Sequence, residues 1–158
     1  MRTLAEIRTD RLLMRRWRAA DRAPFAELNG DFIGFTGLSP MPPDVPGSGG
    51  TEIGWRLARP AWHHGYATEA ARAALGVAFG GVGLAEIWSM TAVLNTPSQA
   101  VMRRIGLTEV ARFEHPRVPD GSPVKPHVLY HLANPDHLAN PGRLANPGRL
   151  ANPAAPRR

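Results

Sequence analysis

The chain contains no cysteine. That excludes disulfides, thiolate-held zinc and cysteine nucleophiles, and it fits a cytoplasmic protein. Lysine is almost missing: Lys125 is the sole one among 19 basic residues, a skew that reads as coding bias rather than a functional device. No run of about 18 apolar residues occurs, so no membrane-spanning helix is expected. Met1 to Thr9 carries charges and no apolar core, so it does not read as a secretory signal. Aromatic residues make up only 7% of the chain and are not interleaved with a dense basic patch, which argues against a nucleic-acid-binding module.

What is present is an ordinary globular composition, 43% hydrophobic over 158 residues, enough for one domain. The net charge is +6, and half of it sits at the end: Arg143, Arg149, Arg157 and Arg158 against Asp136 give residues 133–158 a charge of +3. That end is a hexad repeat, HLANPD, HLANPG, RLANPG, RLANPA. Each unit offers one Leu and one Ala to bury, too little for a solenoid. The expected organisation is a domain over residues 1–132 and an Asn-Pro-rich tail over 133–158 that is disordered or weakly ordered.

Within the domain, hydrophobic periodicity predicts strands at 11–18, 31–39, 52–58, 86–93, 107–113 and 127–132. Leu13 and Trp17 are expected to face inward on the first. Helices are predicted at 20–29, 68–79 and 97–105, with Gly80-Gly81 ending the second. Residues 40–50 hold four prolines and three glycines and read as loop. The sum is a mixed α/β sheet with a strand–helix–strand crossover between 52 and 93.

The most informative stretch is Trp62-His63-His64-Gly65-Tyr66-Ala67-Thr68-Glu69-Ala70. It joins the strand at 52–58 to the longest helix. A strand, a tight glycine turn and a helix start gather backbone N–H groups into a pocket for an anion such as phosphate. Glu69 lies in the first turn, where the helix dipole favours an acid, with Arg72 three residues on. A second segment, Asn95-Thr96-Pro97-Ser98, opens the next helix at the same edge of the sheet. Taken alone, Asn95 and Ser98 read as ordinary helix capping with Pro at the first turn.

Together these segments resemble the GNAT acyltransferase superfamily, in particular its RimJ/RimL-like branch. The matching residues are E-I-G-W-x-L from Glu52, W-x-x-G-Y-A-T-E-A from Trp62, and N-x-x-S-x-x-V-M-x-R-x-G-L from Asn95. T-D-R-L-x-x-R from Thr9 and D-F-I-G-F-T-G-L from Asp31 also look like strands of that branch. The resemblance implies a GNAT-like, mostly antiparallel twisted sheet flanked by helices. It implies acetyl-CoA as cosubstrate and transfer of an acetyl group to a primary amine, on a protein N-terminus or a small molecule, by direct attack. Backbone amides of His63, His64, Gly65, Tyr66, Ala67 and Thr68 are then expected to cradle the pyrophosphate. Asn95 would meet the pantetheine arm, and the strand edge near Trp55 to Leu57 would pair with it as an added strand does.

Such chemistry needs a group to take the amine's proton and one to meet the departing thiolate. Glu52 is the expected base, directly or through a water; the alternative is a structural carboxylate. Ser98 is the candidate at the thiolate, acting by hydrogen bond; the alternative is the cap. Tyr66 and Tyr130 are lesser candidates as proton donors, each also readable as packing. Two departures stand out. His63 occupies a position that is usually glycine in the family, tolerable if its φ is negative. A metal site is not expected, because adjacent His63 and His64 cannot share a helix face and no third ligand is evident. Second, Leu28-Asn29-Gly30 runs directly into Asp31, without the segment that supplies part of the first helical pair and one strand. That shortening raises an alternative, a non-catalytic acyl-CoA-binding protein without an acceptor site. It also suggests self-association as a homodimer through an unpaired strand edge.

Overall fold

The structure is a computed structural model, and it describes residues 6–16 and 32–139. Strands β1 (Glu6–Arg8) and β2 (Leu13–Arg15) form a small antiparallel ribbon. Strands β3 (Gly34–Pro40), β4 (Thr51–Leu57), β5 (Glu86–Ala92), β6 (Thr108–Glu114) and β7 (Pro126–Ala133) form a five-stranded sheet in the order β3-β4-β5-β7-β6. Helix α1 (Tyr66–Gly76) lies in the crossover from β4 to β5, and α2 (Thr96–Arg104) joins β5 to β6. The β4–β5 pair is parallel and the other pairs are antiparallel, the mixed and mostly antiparallel sheet that was expected.

One face of the sheet carries the main core. Ile53 of β4, Ile87 of β5 and Val128 and Tyr130 of β7 pack against Ala71, Ala74 and Leu75 of α1 and Val101 and Met102 of α2. Ile53 and Ile87 are completely buried, each stabilising by roughly 1.5–3 kcal/mol relative to an exposed side chain. The Pro- and Gly-rich loop at 40–50 covers the other face, where its Met41 and Val45 pack on Leu129. Glycine is required at Gly50, since a Cβ there would lie 2.5 Å from Cδ1 of Trp88.

Several boundaries differ from expectation. Met14, not Leu13, packs toward the core, and Leu13 is 46% exposed. The side-chain period of a strand is two, so a one-residue error in phase exchanges its faces. Trp17 lies outside the described residues, as do the helix expected at 20–29, the junction at Gly30-Asp31 and residues 140–158. Gly80-Gly81 do not end α1. The chain widens into a π-type turn over Val77–Val82 and stops at Gly83, whose φ of 77° is the left-handed conformation that glycine adopts without strain.

Regular structure continues past residue 132. Strand β7 continues to Ala133, and a short helix, α3 (Pro135–Ala139), follows. Asn134 is the cause. Its N–H and Nδ2 donate to the carbonyls of Ala85 and Leu84, both at 2.8 Å, and its Oδ1 accepts from the N–H of Asp136. The first Asn-Pro unit is thus tied to the start of β5.

Candidate active site

The turn after β4 is built from backbone conformation. A 3-10 turn at Arg59–Ala61 leads to Trp62, whose Nε1 donates to the carbonyl of Leu57 at 2.9 Å. Gly65 caps α1 with φ 80° and offers no side chain to the helix start. His63 has φ 65°, so the condition under which a side chain sits easily there, a negative φ, is not met. A non-glycine residue held there costs on the order of 1–3 kcal/mol, and histidine is among the residues most often found so. From His63 to Thr68, no backbone N–H donates a hydrogen bond to another described backbone group, and Glu69 is the first to bond back, to the Gly65 carbonyl at 3.0 Å. The sequence thus produces a row of donors without a partner among the described residues, at the positive end of a helix.

Glu69 does not pair with Arg72. Its Oε1 accepts from Thr9 Oγ1 at 2.5 Å and from the Arg11 N–H at 3.1 Å, and its Oε2 accepts from Arg11 Nε at 2.7 Å. These bonds, the Thr9 hydroxyl foremost and Arg11 after it, hold the carboxyl below its usual range. Arg72 instead donates to the carbonyl of Arg104 at 3.0 Å, joining α1 to the end of α2. Helical spacing favoured the local partner; the ribbon between β1 and β2 supplies a better one. The T-D-R-L motif was the available signal, but nothing in the spacing of residues 9 and 69 announces contact.

Asn95 and Ser98 do cap α2. Asn95 Oδ1 accepts from the Ser98 N–H at 3.3 Å, and its Nδ2 donates to Thr91 Oγ1 at 2.9 Å. Ser98 Oγ accepts from Trp55 Nε1 at 3.2 Å, so its own proton remains to donate. The parallel strands beside it diverge. Their register contains one pair, Glu52 with Trp88, and beyond the bond from Ser89 Oγ to the Ile53 carbonyl, residues 54–57 pair on the β3 side. The β4 edge at Trp55 to Leu57 therefore lies along a gap in the ladder between β4 and β5, where no register pair joins them.

Glu52 stands at the closed end of that gap. Alternation along β4 puts it on the face opposite Ile53 and Trp55. Glu52 and Ser98 thus flank the divergence from opposite sides of the sheet. Burial raises the Glu52 carboxyl above its ordinary value of 4.5, partly offset by a bond from the Met90 N–H. A carboxylate with raised pKa is a better proton acceptor than a solvated one.

The two tyrosines are engaged elsewhere. Tyr130 is 1% exposed; its hydroxyl accepts from Arg103 at 2.8 Å and donates to Gln99 Oε1 at 3.4 Å. Tyr66 stacks with His64 at 5.5 Å between ring centroids and lies under Arg11 at 4.8 Å. Burial and both hydroxyl bonds accord with packing for Tyr130, and the Tyr66 contacts are made by its ring.

Comparison with known proteins gives this geometry a family. A fungal protein from Aspergillus fumigatus, FsC-acetyl coenzyme A-N(2)-transacetylase, is 41% identical over 93 residues, 56% of this chain and 39% of that protein. A GNAT-family acetyltransferase structure from Bacillus anthracis superposes with TM-score 0.55 at 28% identity, covering 65% of this chain and 59% of that one. Mycobacterium smegmatis RimJ, solved in complex with a CoA disulfide, superposes with TM-score 0.53 at 27% identity, covering 68% of this chain and 50% of that one. The chain thus spans about two fifths of the fungal protein and half to three fifths of the two solved chains. Residues 8–108 match the acetyltransferase (GNAT) domain, and on that match the chain belongs to the GNAT family.

Proposed function

We propose that the chain is an acetyl-CoA-dependent N-acetyltransferase acting on a primary amine. The observation that carries the reading is the row of N–H donors from His63 to Thr68 without a partner among the described residues, beside the gap in the ladder between β4 and β5. A diphosphate needs several convergent donors and a favourable dipole, and this turn offers both. The residues that would hold the cosubstrate are His63, His64, Gly65, Tyr66, Ala67 and Thr68 through backbone amides. Asn95 and the β4 edge at Trp55 to Leu57 would hold its arm. When bound, acetyl-CoA supplies an activated acetyl thioester.

The remaining chemistry belongs to the chain. Glu52 takes a proton from the incoming ammonium, directly or across a water, leaving a nucleophilic amine. A backbone amide of the diverging β4 edge polarises the carbonyl under attack. Amide formation frees a second proton from the nitrogen, and the departing sulfur takes one up to leave as a thiol; Ser98 donates a hydrogen bond to that sulfur while Trp55 holds its oxygen. The similarity to the Aspergillus protein, named as an N(2)-transacetylase, favours an amine over a hydroxyl acceptor. A protein N-terminus and a small-molecule amine are both within this reading, as are a cytoplasmic location and a homodimer associating at the sheet edge.

Mass-spectrometric acetylation assays against N-terminal peptides, polyamines and aminoglycosides test the proposal. Transfer to any of them, slowed roughly a hundredfold or more by Glu52→Gln, supports it. CoA binding without transfer to any acceptor would favour the non-catalytic acyl-CoA-binding alternative. A strictly monomeric mass at micromolar concentration would remove the homodimer.

A further inference from the structure

We propose that Arg11 is a positioning residue for the phosphate-binding turn, joining the β1–β2 ribbon to the start of α1 so that the turn's donors face a phosphate. The inference rests on the cofactor reading above and names a residue outside the turn that it depends on.

The guanidinium makes three kinds of contact at once. Nε and NH2 grip Glu69 Oε2 at 2.7 and 2.6 Å, NH1 donates to the His64 carbonyl at 2.9 Å, and the guanidinium carbon lies 4.8 Å from the Tyr66 ring centroid. The His64 carbonyl is the group whose direction decides where the next N–H groups point. A peptide unit is planar, so fixing its oxygen fixes the Gly65 N–H on the opposite side. Gly65 adds no side-chain restraint to that unit, and its φ of 80° is the left-handed conformation that glycine adopts without strain.

Arg11 also answers a charge problem. Glu69 occupies the first turn of the helix that is to receive a diphosphate. Unopposed, its carboxylate would repel that ligand. Arg11 and Thr9 together cover it, leaving its side chain 18% exposed while Arg11 remains 50% exposed beside the donors. A lysine could neutralise Glu69 but could not hold Glu69 and the His64 carbonyl in one planar fork.

The test is calorimetric titration of the full chain with CoA and with pantetheine, which lacks the phosphates. Arg11→Met should weaken CoA at least tenfold and leave pantetheine within twofold. Arg11→Lys should fall between, with unchanged far-ultraviolet circular dichroism, and it serves if Arg11→Met does not fold. Adding Glu69→Gln to Arg11→Met should recover part of the CoA loss, because the repulsion is gone. CoA affinity unchanged in both single variants overturns the assignment, and so does an equal loss of CoA and pantetheine. If the unaltered chain binds no CoA at millimolar concentration, the cofactor reading itself fails and takes this one with it.

Discussion

Replacing Glu52 by Gln should make the protein slower and no less stable, and the two effects have one cause. In the folded chain, burial raises the Glu52 carboxyl above 4.5, so folding disfavours its ionised form. A raised carboxyl contributes its full stability below the ordinary carboxylate range. That contribution is lost as pH rises through the folded value. Each tenfold weakening of its acidity costs about 1.4 kcal/mol at pH 7. Glutamine keeps an oxygen for the Met90 N–H and has no charge to desolvate. The melting temperature of Glu52→Gln should therefore match the parent near pH 4 and equal or exceed it at pH 7. Removing the base should lower kcat/KM by roughly 10²–10⁴. In the parent, kcat/KM should rise with pH through the raised Glu52 value, and this limb should vanish in the variant. Thermal melts at several pH values and a discontinuous acetylation assay measure both. A variant that melts several degrees lower at pH 7, or retains the parent rate, would refute the assignment.

Other perturbations have equally definite outcomes. Gly65→Glu should lower CoA affinity by at least a hundredfold in a calorimetric titration. It forces a side chain into φ 80° and brings a negative charge to the phosphates, where like charges 4 Å apart repel by about 4 kcal/mol at an effective dielectric near 20. His63→Gly relieves a left-handed histidine and should raise the melting temperature by about 2–4 °C, equivalent to about 1 kcal/mol, without weakening CoA binding. A lower melting temperature would mean that the histidine side chain itself holds the turn. Ser98→Ala should lower kcat more than it raises KM, because the hydroxyl is assigned to the leaving sulfur. Tyr130→Phe removes the acceptor of Arg103 and the donor to Gln99, and should cost about 1.5–3 kcal/mol in urea unfolding. Acetylation per folded molecule should be unchanged, which separates a packing tyrosine from a proton donor.

Local patterns reveal much of this fold. The crossover helix shows in the apolar stripe at Ala70, Ala71, Ala74 and Leu75, all buried in the structure. The cap at Asn95 shows in the Asn-Thr-Pro-Ser spacing, because a cap needs only residues three apart. What stays hidden is nonlocal or conformational. Glu69 has a local partner at Arg72 and a distant one at Arg11, and only the folded ribbon decides between them. The left-handed φ of His63 is imposed by the turn on a residue that does not prefer it. Asn134 belongs to a repeat with little apolar content, yet its amide bonds to the carbonyls of Leu84 and Ala85 draw it into the domain. Side-chain phase in a three-residue strand is likewise set by docking, as Met14 shows against Leu13.

The most direct test of the central claim is a thermal-shift titration with acetyl-CoA. At 100 times its dissociation constant the ligand should stabilise the fold by about 2.7 kcal/mol, a rise of roughly 5–10 °C for a chain of this size. A rise of that order, absent in Gly65→Glu, is the predicted result. An unchanged melting temperature at millimolar acetyl-CoA would contradict the account.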